Sequence, residues 1–262
     1  MRMFEYNTTA TTRILGLPPY SFFSLIGFIF AAALFIILLR KRGFSIPRYM
    51  LIAALSVGGL FAGGRLFGIL SGVYLLALNG QRVTSWVIFH TGIVFYGGLF
   101  GFILVFILVS KIWLKRIDPG SLDLVAVCIP LFHAWARVGC FTAGCCYGKA
   151  TDSWFSVLYT NRIRGTVMTV SRIPVQLMET MFNIAIFTVL IILLSKKMLK
   201  EHLLIAYLIL YPAARIVSEL FRGDAIRGVW HGISFSQSVS VITVAVCIAI
   251  ITRKKVKPVP PS

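Results

Sequence analysis

Residues 137–148 read R-V-G-C-F-T-A-G-C-C-Y-G and follow directly on an apolar run from Leu122 to Trp135. A cation at bilayer depth costs ~3 kcal/mol even on lenient insertion scales, so Arg137 needs a partner and marks a functional site by default. Three glycines, three cysteines and a tyrosine share the twelve residues. Glycine at this density lets the backbone bend and approach a ligand closely, which an ordinary spanning helix does not need. Two further arginines stand in apolar surroundings, Arg65 in G-G-R-L-F-G and Arg215 in Y-P-A-A-R-I-V-S-E-L-F-R. Three such cations against few acids point to an anionic ligand; the competing reading is that each snorkels to the interface or pairs with an acid such as Glu179 or Glu219.

Composition fixes the class. The 262 residues are 58% hydrophobic and 13% charged, with a mean hydropathy of +0.88, far outside the range of soluble domains. The formal charge of +18 sits in short clusters between apolar runs and not on one face, so it marks topology and contacts with anionic membrane lipids and gives no reason to expect nucleic acid. The first nineteen residues are polar and the run after them is full-length, which does not fit a cleavable signal peptide. Five cysteines are too few and too unevenly placed for a disulfide framework. No C-x-x-C pair or His/Cys ligand set occurs, so no metal is expected.

The chain therefore reads as an all-α integral membrane protein of about seven transmembrane helices, a single transmembrane domain over 1–262 with a small extracytoplasmic head at 149–173. Spans are expected at Tyr20–Leu39, Tyr49–Leu78, Ile93–Ser110, Leu122–Trp135, Pro174–Leu194, Leu203–Leu220 and Ile233–Ile251. The second is too long for one straight crossing and holds Gly58, Gly59, Gly63 and Gly64, so a bend or an extension beyond the membrane is expected there. Trp86–His90 reads as interfacial or re-entrant, and Phe155–Tyr159 as strand-like. With the C-terminus inside, cytoplasmic segments hold 14 Lys/Arg and outer segments 9. The positive-inside rule then puts the N-terminus outside a bacterial plasma membrane, with the mouth of the 137–148 motif facing outward beside Trp230 and His231.

In order along the chain, Tyr20 before Gly27, G-G-R-L at Gly63–Leu66, V-F-Y-G-G-L-F-G at Val94–Gly101, P-V-Q-L-M-E at Pro174–Glu179, R-I-V-S-E-L-F-R-G-D at Arg215–Asp224 and S-F-S-Q-S-V-S at Ser234–Ser240 resemble the motifs of the prolipoprotein diacylglyceryl transferase family. The 137–148 stretch is similar to the family signature, Gly-Arg-x-Gly-Asn-Phe followed by Asn-x-Glu and a closing glycine. It departs from the signature at Cys140, Ala143 and Cys145, where the family has Asn, Asn and Glu. Tyr96 stands where part of the family has His, and Ile173 where a histidine usually precedes the proline. The resemblance implies a membrane transferase that moves the diacylglyceryl group of phosphatidylglycerol onto the lipobox cysteine in the signal-peptide region of a prolipoprotein, releasing glycerol phosphate without a cofactor. It also implies that Tyr20, Arg65, Gly97, Gly98, Gly148, Gln176 and Arg222 contact substrate.

The chemistry has plain requirements. Carbon–oxygen cleavage at the lipid glycerol leaves a phosphate, whose charge guanidinium groups neutralise bidentately; Arg137 and Arg215 fit that role, with Arg222 as an outer contributor and Arg65 the less certain member. The attacking thiol must lose a proton, and Tyr96 accepts it only if the arginines acidify it strongly. Glu219, four residues after Arg215 on one helical face, is a base or the partner that holds Arg215, and the orienting role is favoured because a carboxylate beside arginines is a weak base. Cys140 is either a covalent carrier of the lipid moiety, half of a disulfide with Cys145 or Cys146, or a small packing residue, the last being the commoner fate of buried cysteine. His133 reads as a hydrogen-bonded core group. Other readings are the same donor with a non-lipoprotein acceptor, a thiol-redox membrane protein using Cys140, Cys145 and Cys146, and an anion or lipid transporter.

Overall fold

The computed structural model describes residues 5–7, 13–78, 80, 92–116, 118–163, 166–223, 229–230 and 233–256; the Trp86–His90 segment, His231 and the Trp230 side chain lie outside the described residues. In chain order the elements are β1 (Glu5–Asn7), α1 (Pro19–Lys41), α2 (Ile46–Leu78), α3 (Phe95–Trp113), α4 (Pro119–Thr142), β2 (Val157–Ile163), β3 (Thr166–Arg172), α5 (Val175–Ser195), α6 (Leu203–Phe221), β4 (Val229–Trp230), β5 (Ile233–Ser234) and α7 (Phe235–Val256). All seven helices among the described residues are long and apolar enough to cross a membrane, so the protein is a multi-pass helical membrane protein. It divides into two compact units, one of Met1–Phe35, Asp123–Ala225 and Ser240–Ser262, the other of Ile36–Leu122 and Ile226–Val239.

In the second unit α2 runs for 33 residues without a break, roughly 50 Å at 1.5 Å per residue. The helix is not interrupted at its glycines, of which Gly59 and Gly63 serve as a packing face. A Cβ on Gly59 would lie 2.5 Å from the Gly101 carbonyl oxygen, and Gly63 and Gly97 face each other's carbonyl oxygens as closely. Gly59/Gly63 and Gly97/Gly101 are thus paired small-x-x-x-small faces that bring two backbones together, the usual adhesive of helices in lipid. Val94 N donates to Gly64 O at 3.0 Å and fixes where α3 begins. Tyr96 is buried and stacks on Phe100, and a Cβ on Gly98 would stand 3.3 Å from the Leu60 side chain. Gly97 and Gly98, the glycines expected to contact substrate, both lie in this helix contact. Arg65 follows Gly64 on α2. A capping box opens α7: Gln237 N donates to Ser234 Oγ at 3.2 Å and Ser234 N to Gln237 Oε1 at 2.8 Å, which gives S-F-S-Q a structural reading.

In the first unit α1 lies on α4 through small and aromatic residues. Phe23 and Phe30 stack on Trp135 at 6.3 and 5.5 Å, and Gly27 leaves room for the Trp135 side chain. The fourth span continues past Trp135 to Thr142, so Arg137 and Gly139 are helical and the chain turns only at Gly144 (φ +67°). Asp123 of α4 holds the start of α6, accepting from Leu203 N at 2.8 Å and Glu201 N at 2.6 Å. The head is a three-stranded sheet in the order β1-β2-β3, β2 and β3 pairing antiparallel from Val157↔Arg172 to Ile163↔Thr166. Phe155 lies in a turn and the strand begins at Val157. The N-terminal strand β1 joins β2 in parallel, Glu5 opposite Leu158, a partner not foreseen from the 149–173 segment alone.

Candidate active site

Arg137 sits one turn after His133 on α4, and its Nε donates to His133 Nε2 at 3.1 Å and meets Glu179 Oε2 of α5 at 2.9 Å. The other oxygen of Glu179 receives Arg215 of α6 in a close ion pair and the Ser218 hydroxyl at 3.0 Å. Arg215 in turn meets Glu219 Oε2 at 2.8 Å, one helical turn on. The Tyr211 ring lies 5.2 Å from that of His133. Three helices thus meet through four charged groups, all buried. The two arginines read from sequence as a converging pair do converge, and a shared carboxylate joins them. Glu219 has the geometry of the orienting partner.

Glu179 was foreseen only as an acid with which an arginine might pair. A carboxylate within an apolar span is expensive unless paired, and that cost is the signal by which it was findable. His133 is, as expected, a hydrogen-bonded core group that accepts from Arg137, and Ser218 carries no comparable signal. Arg222, just beyond α6 and buried, exerts its charge on both Glu179 and Cys146. Counted over the cluster, three guanidiniums stand against two carboxylates.

The 137–148 motif packs onto this cluster by its backbone. Gly148 N donates to Ile173 O at 2.9 Å and Gly223 N to Tyr147 O at 3.2 Å, with a bridge between Gly148 and Arg222. A Cβ on Gly148 would come within 2.6 Å of the Ile173 oxygen, so close backbone packing is what requires glycine there. Gln176 is fully buried: its Nε2 donates to Cys145 O at 2.5 Å and its Oε1 accepts from Tyr159 OH at 3.0 Å. With both ends of the amide engaged, it braces the motif against β2. Arg172 lies 4.3 Å over the Tyr147 ring. Tyr20, half exposed at the start of α1, packs its backbone on Gly139, whose Cβ would stand 3.1 Å from the Tyr20 Cα.

All five cysteines are free thiols. Cys128 and Cys247 are buried in α4 and α7, as expected for packing residues. Cys140, Cys145 and Cys146 have their sulfurs within 4.8 Å of one another, a grouping that the C-x4-C-C spacing does not announce. The Cys145 thiol points to Cys140 O at 3.6 Å, and Arg137 and Arg222 place positive charge beside Cys146. Arg65, Tyr96, Gly97 and Gly98 belong to the other unit.

The sequence model of the prolipoprotein diacylglyceryl transferase family matches residues 11–253. A Clostridium tetani protein named phosphatidylglycerol–prolipoprotein diacylglyceryl transferase is 29% identical over 240 residues, covering 89% of this chain and 92% of that one. A second such transferase, from Clostridium perfringens, is 28% identical over 87% of this chain and 88% of its own length. A Campylobacter curvus protein of the same name is 32% identical over 58% of this chain and 54% of its own.

Proposed function

The chain belongs to the prolipoprotein diacylglyceryl transferase family, and from that premise we propose that it transfers the diacylglyceryl group of phosphatidylglycerol to the cysteine thiol in the signal-peptide region of a prolipoprotein. The observation that carries the reading is the buried ion-paired cluster Arg137, Glu179, Arg215 and Glu219, with the buried Arg222 near enough to act on Glu179. These three cations and two anions leave one positive charge, since His133 accepts from Arg137 through a bare Nε2 and is neutral. A phosphodiester headgroup brings one negative charge, so the loaded site is neutral, which a low-dielectric interior favours.

In the reaction the bond between the lipid glycerol carbon and a phosphate oxygen breaks while the acceptor sulfur bonds to that carbon. The thiol proton and the departing glycerol phosphate balance, leaving total charge unchanged. Arg137 and Arg215 stabilise charge as it collects on the leaving phosphate, and Glu179 and Glu219 hold both guanidiniums in place beforehand, so that no reorganisation is needed at the transition state. Arg222 draws the headgroup in. The protein resides in a bacterial plasma membrane with its N-terminus outside and C-terminus cytoplasmic, its head on the outer face where prolipoproteins emerge; the concentration of Lys/Arg after α1, α3, α5 and α7 supports that orientation.

The direct test incubates the purified protein with radiolabelled phosphatidylglycerol and a lipobox peptide. Diacylglyceryl peptide and glycerol phosphate are expected in equal amounts. Glycerol phosphate without labelled peptide would refute the lipoprotein acceptor, and neither product would refute the transferase. Reporter fusions to the two termini, active on opposite sides of the membrane, test the orientation.

A further inference from the structure

The three thiols at the end of α4 are brought together by the backbone. Cys145 N donates to Cys140 O at 3.1 Å and Gly144 N to Phe141 O at 3.0 Å, with Gly144 left-handed. This is the Schellman helix end, whose geometry brings the residue two past the cap against the last turn; here those positions are Cys145 and Cys140. Cys146 is itself left-handed (φ +59°), a conformation that a residue with a side chain adopts only under local constraint. Gln176 pins the Cys145 carbonyl from α5. The sulfurs all lie within 4.8 Å of one another, whereas three sulfurs around a zinc-sized ion at about 2.3 Å would be about 4 Å apart. Side-chain rotation closes that difference.

We propose that Cys140, Cys145 and Cys146 form a three-thiolate site for one soft cation of the zinc class, with the fourth position open to an incoming thiol. Soft sulfur donors select such ions over calcium or magnesium. Binding releases three protons from three thiols and leaves a complex with one net negative charge beside Arg137 and Arg222, both near enough to act on Cys146; the neutral charge count of the phospholipid-loaded cluster is that of the metal-free protein. Cys140 is buried and Cys145 exposed, so the open position faces outward. Catalytic zinc keeps such a position for substrate, and a thiol that coordinates zinc is deprotonated outright. On the transferase reading, which this part of the inference rests on, the occupant is the lipobox cysteine, and the ion takes the place of its thiol proton by binding it as thiolate.

The test uses the full-length reduced protein in detergent, titrated with Cd(II) as a spectroscopic substitute for zinc. One Cd(II) per chain is expected, with thiolate-to-metal absorption and loss of maleimide labelling at Cys145. Cys145→Ser and Cys146→Ser, each shown to be folded by its thermal unfolding, should weaken binding at least about 100-fold, while Cys128→Ser should not. No saturable binding, equal binding by Cys146→Ser, or a mass two hydrogens lighter from a disulfide would each overturn the site. Addition of a lipobox peptide should change the absorption, and a peptide with serine for cysteine should not; no change with the cysteine peptide overturns the open position. Diacylglyceryl transfer by metal-free protein would overturn the catalytic role of the ion and leave the transferase reading intact.

Discussion

Glu179→Gln is the sharpest test of the buried cluster. The carboxylate meets Arg137 Nε at 2.9 Å, closely pairs Arg215, and accepts from Ser218 at 3.0 Å, with Arg137, Glu179 and Arg215 all buried. An uncharged amide keeps the volume but leaves two guanidiniums facing each other and raises the excess charge of the cluster from one to two. Removing one partner of a buried pair costs ~3–5 kcal/mol, a large share of the ~5–15 kcal/mol typical of a whole domain. The variant should unfold earlier in a denaturing-detergent titration by about that amount, and displacement of both arginines should lower transfer at least ~100-fold. Arg137→Gln on the Glu179→Gln background removes the stranded charge, so the double variant should be more stable than the sum of the single effects by ~1–3 kcal/mol. A Glu179→Gln protein within ~1 kcal/mol of the parent, with additive single effects, would refute the cluster.

Three further outcomes follow from other contacts. Gly63→Val drives a side chain into the Gly97 carbonyl across the α2–α3 contact, which no rotamer relieves; overpacking of ~1–3 kcal/mol should appear as reduced folded yield by size exclusion. Asp123→Ala removes the acceptor for two backbone donors at the start of α6, and a stability loss of ~1–2 kcal/mol is expected, visible as faster hydrogen exchange at Leu203. Arg222→Gln removes the outer cation without touching the Arg137–Glu179–Arg215 contacts; KM for phosphatidylglycerol should rise ~10-fold with kcat less affected, since uniform binding is what is lost.

What the sequence discloses and what it withholds follow from one physical cause. Lipid supplies no water to satisfy a polar group, so every buried cation, helix end or carboxylate must be answered from within the protein. The demand is visible one residue at a time: Arg137 and Arg215 announce themselves by their cost in an apolar run, and the lengths of the apolar runs set the number of spans. The answer depends on which helices become neighbours, and that lies outside any local window. Glu179 is 42 positions from Arg137 in the chain, and only the placement of α5 between α4 and α6 makes it the shared counterion. The same logic explains the misread glycines. Gly59 and Gly63 look like hinges singly, but their spacing of four, matched by Gly97 and Gly101 on α3, is what lets two backbones approach, so the helix stays unbroken and the pair closes instead. The cysteine trio is the extreme case. Cys140 and Cys145 are five residues apart, no ligand spacing at all along a continuous helix, and they meet only because Gly144 ends the helix between them; a glycine near a spanning helix end is therefore to be read for the side chains its turn brings together as well as for the turn itself.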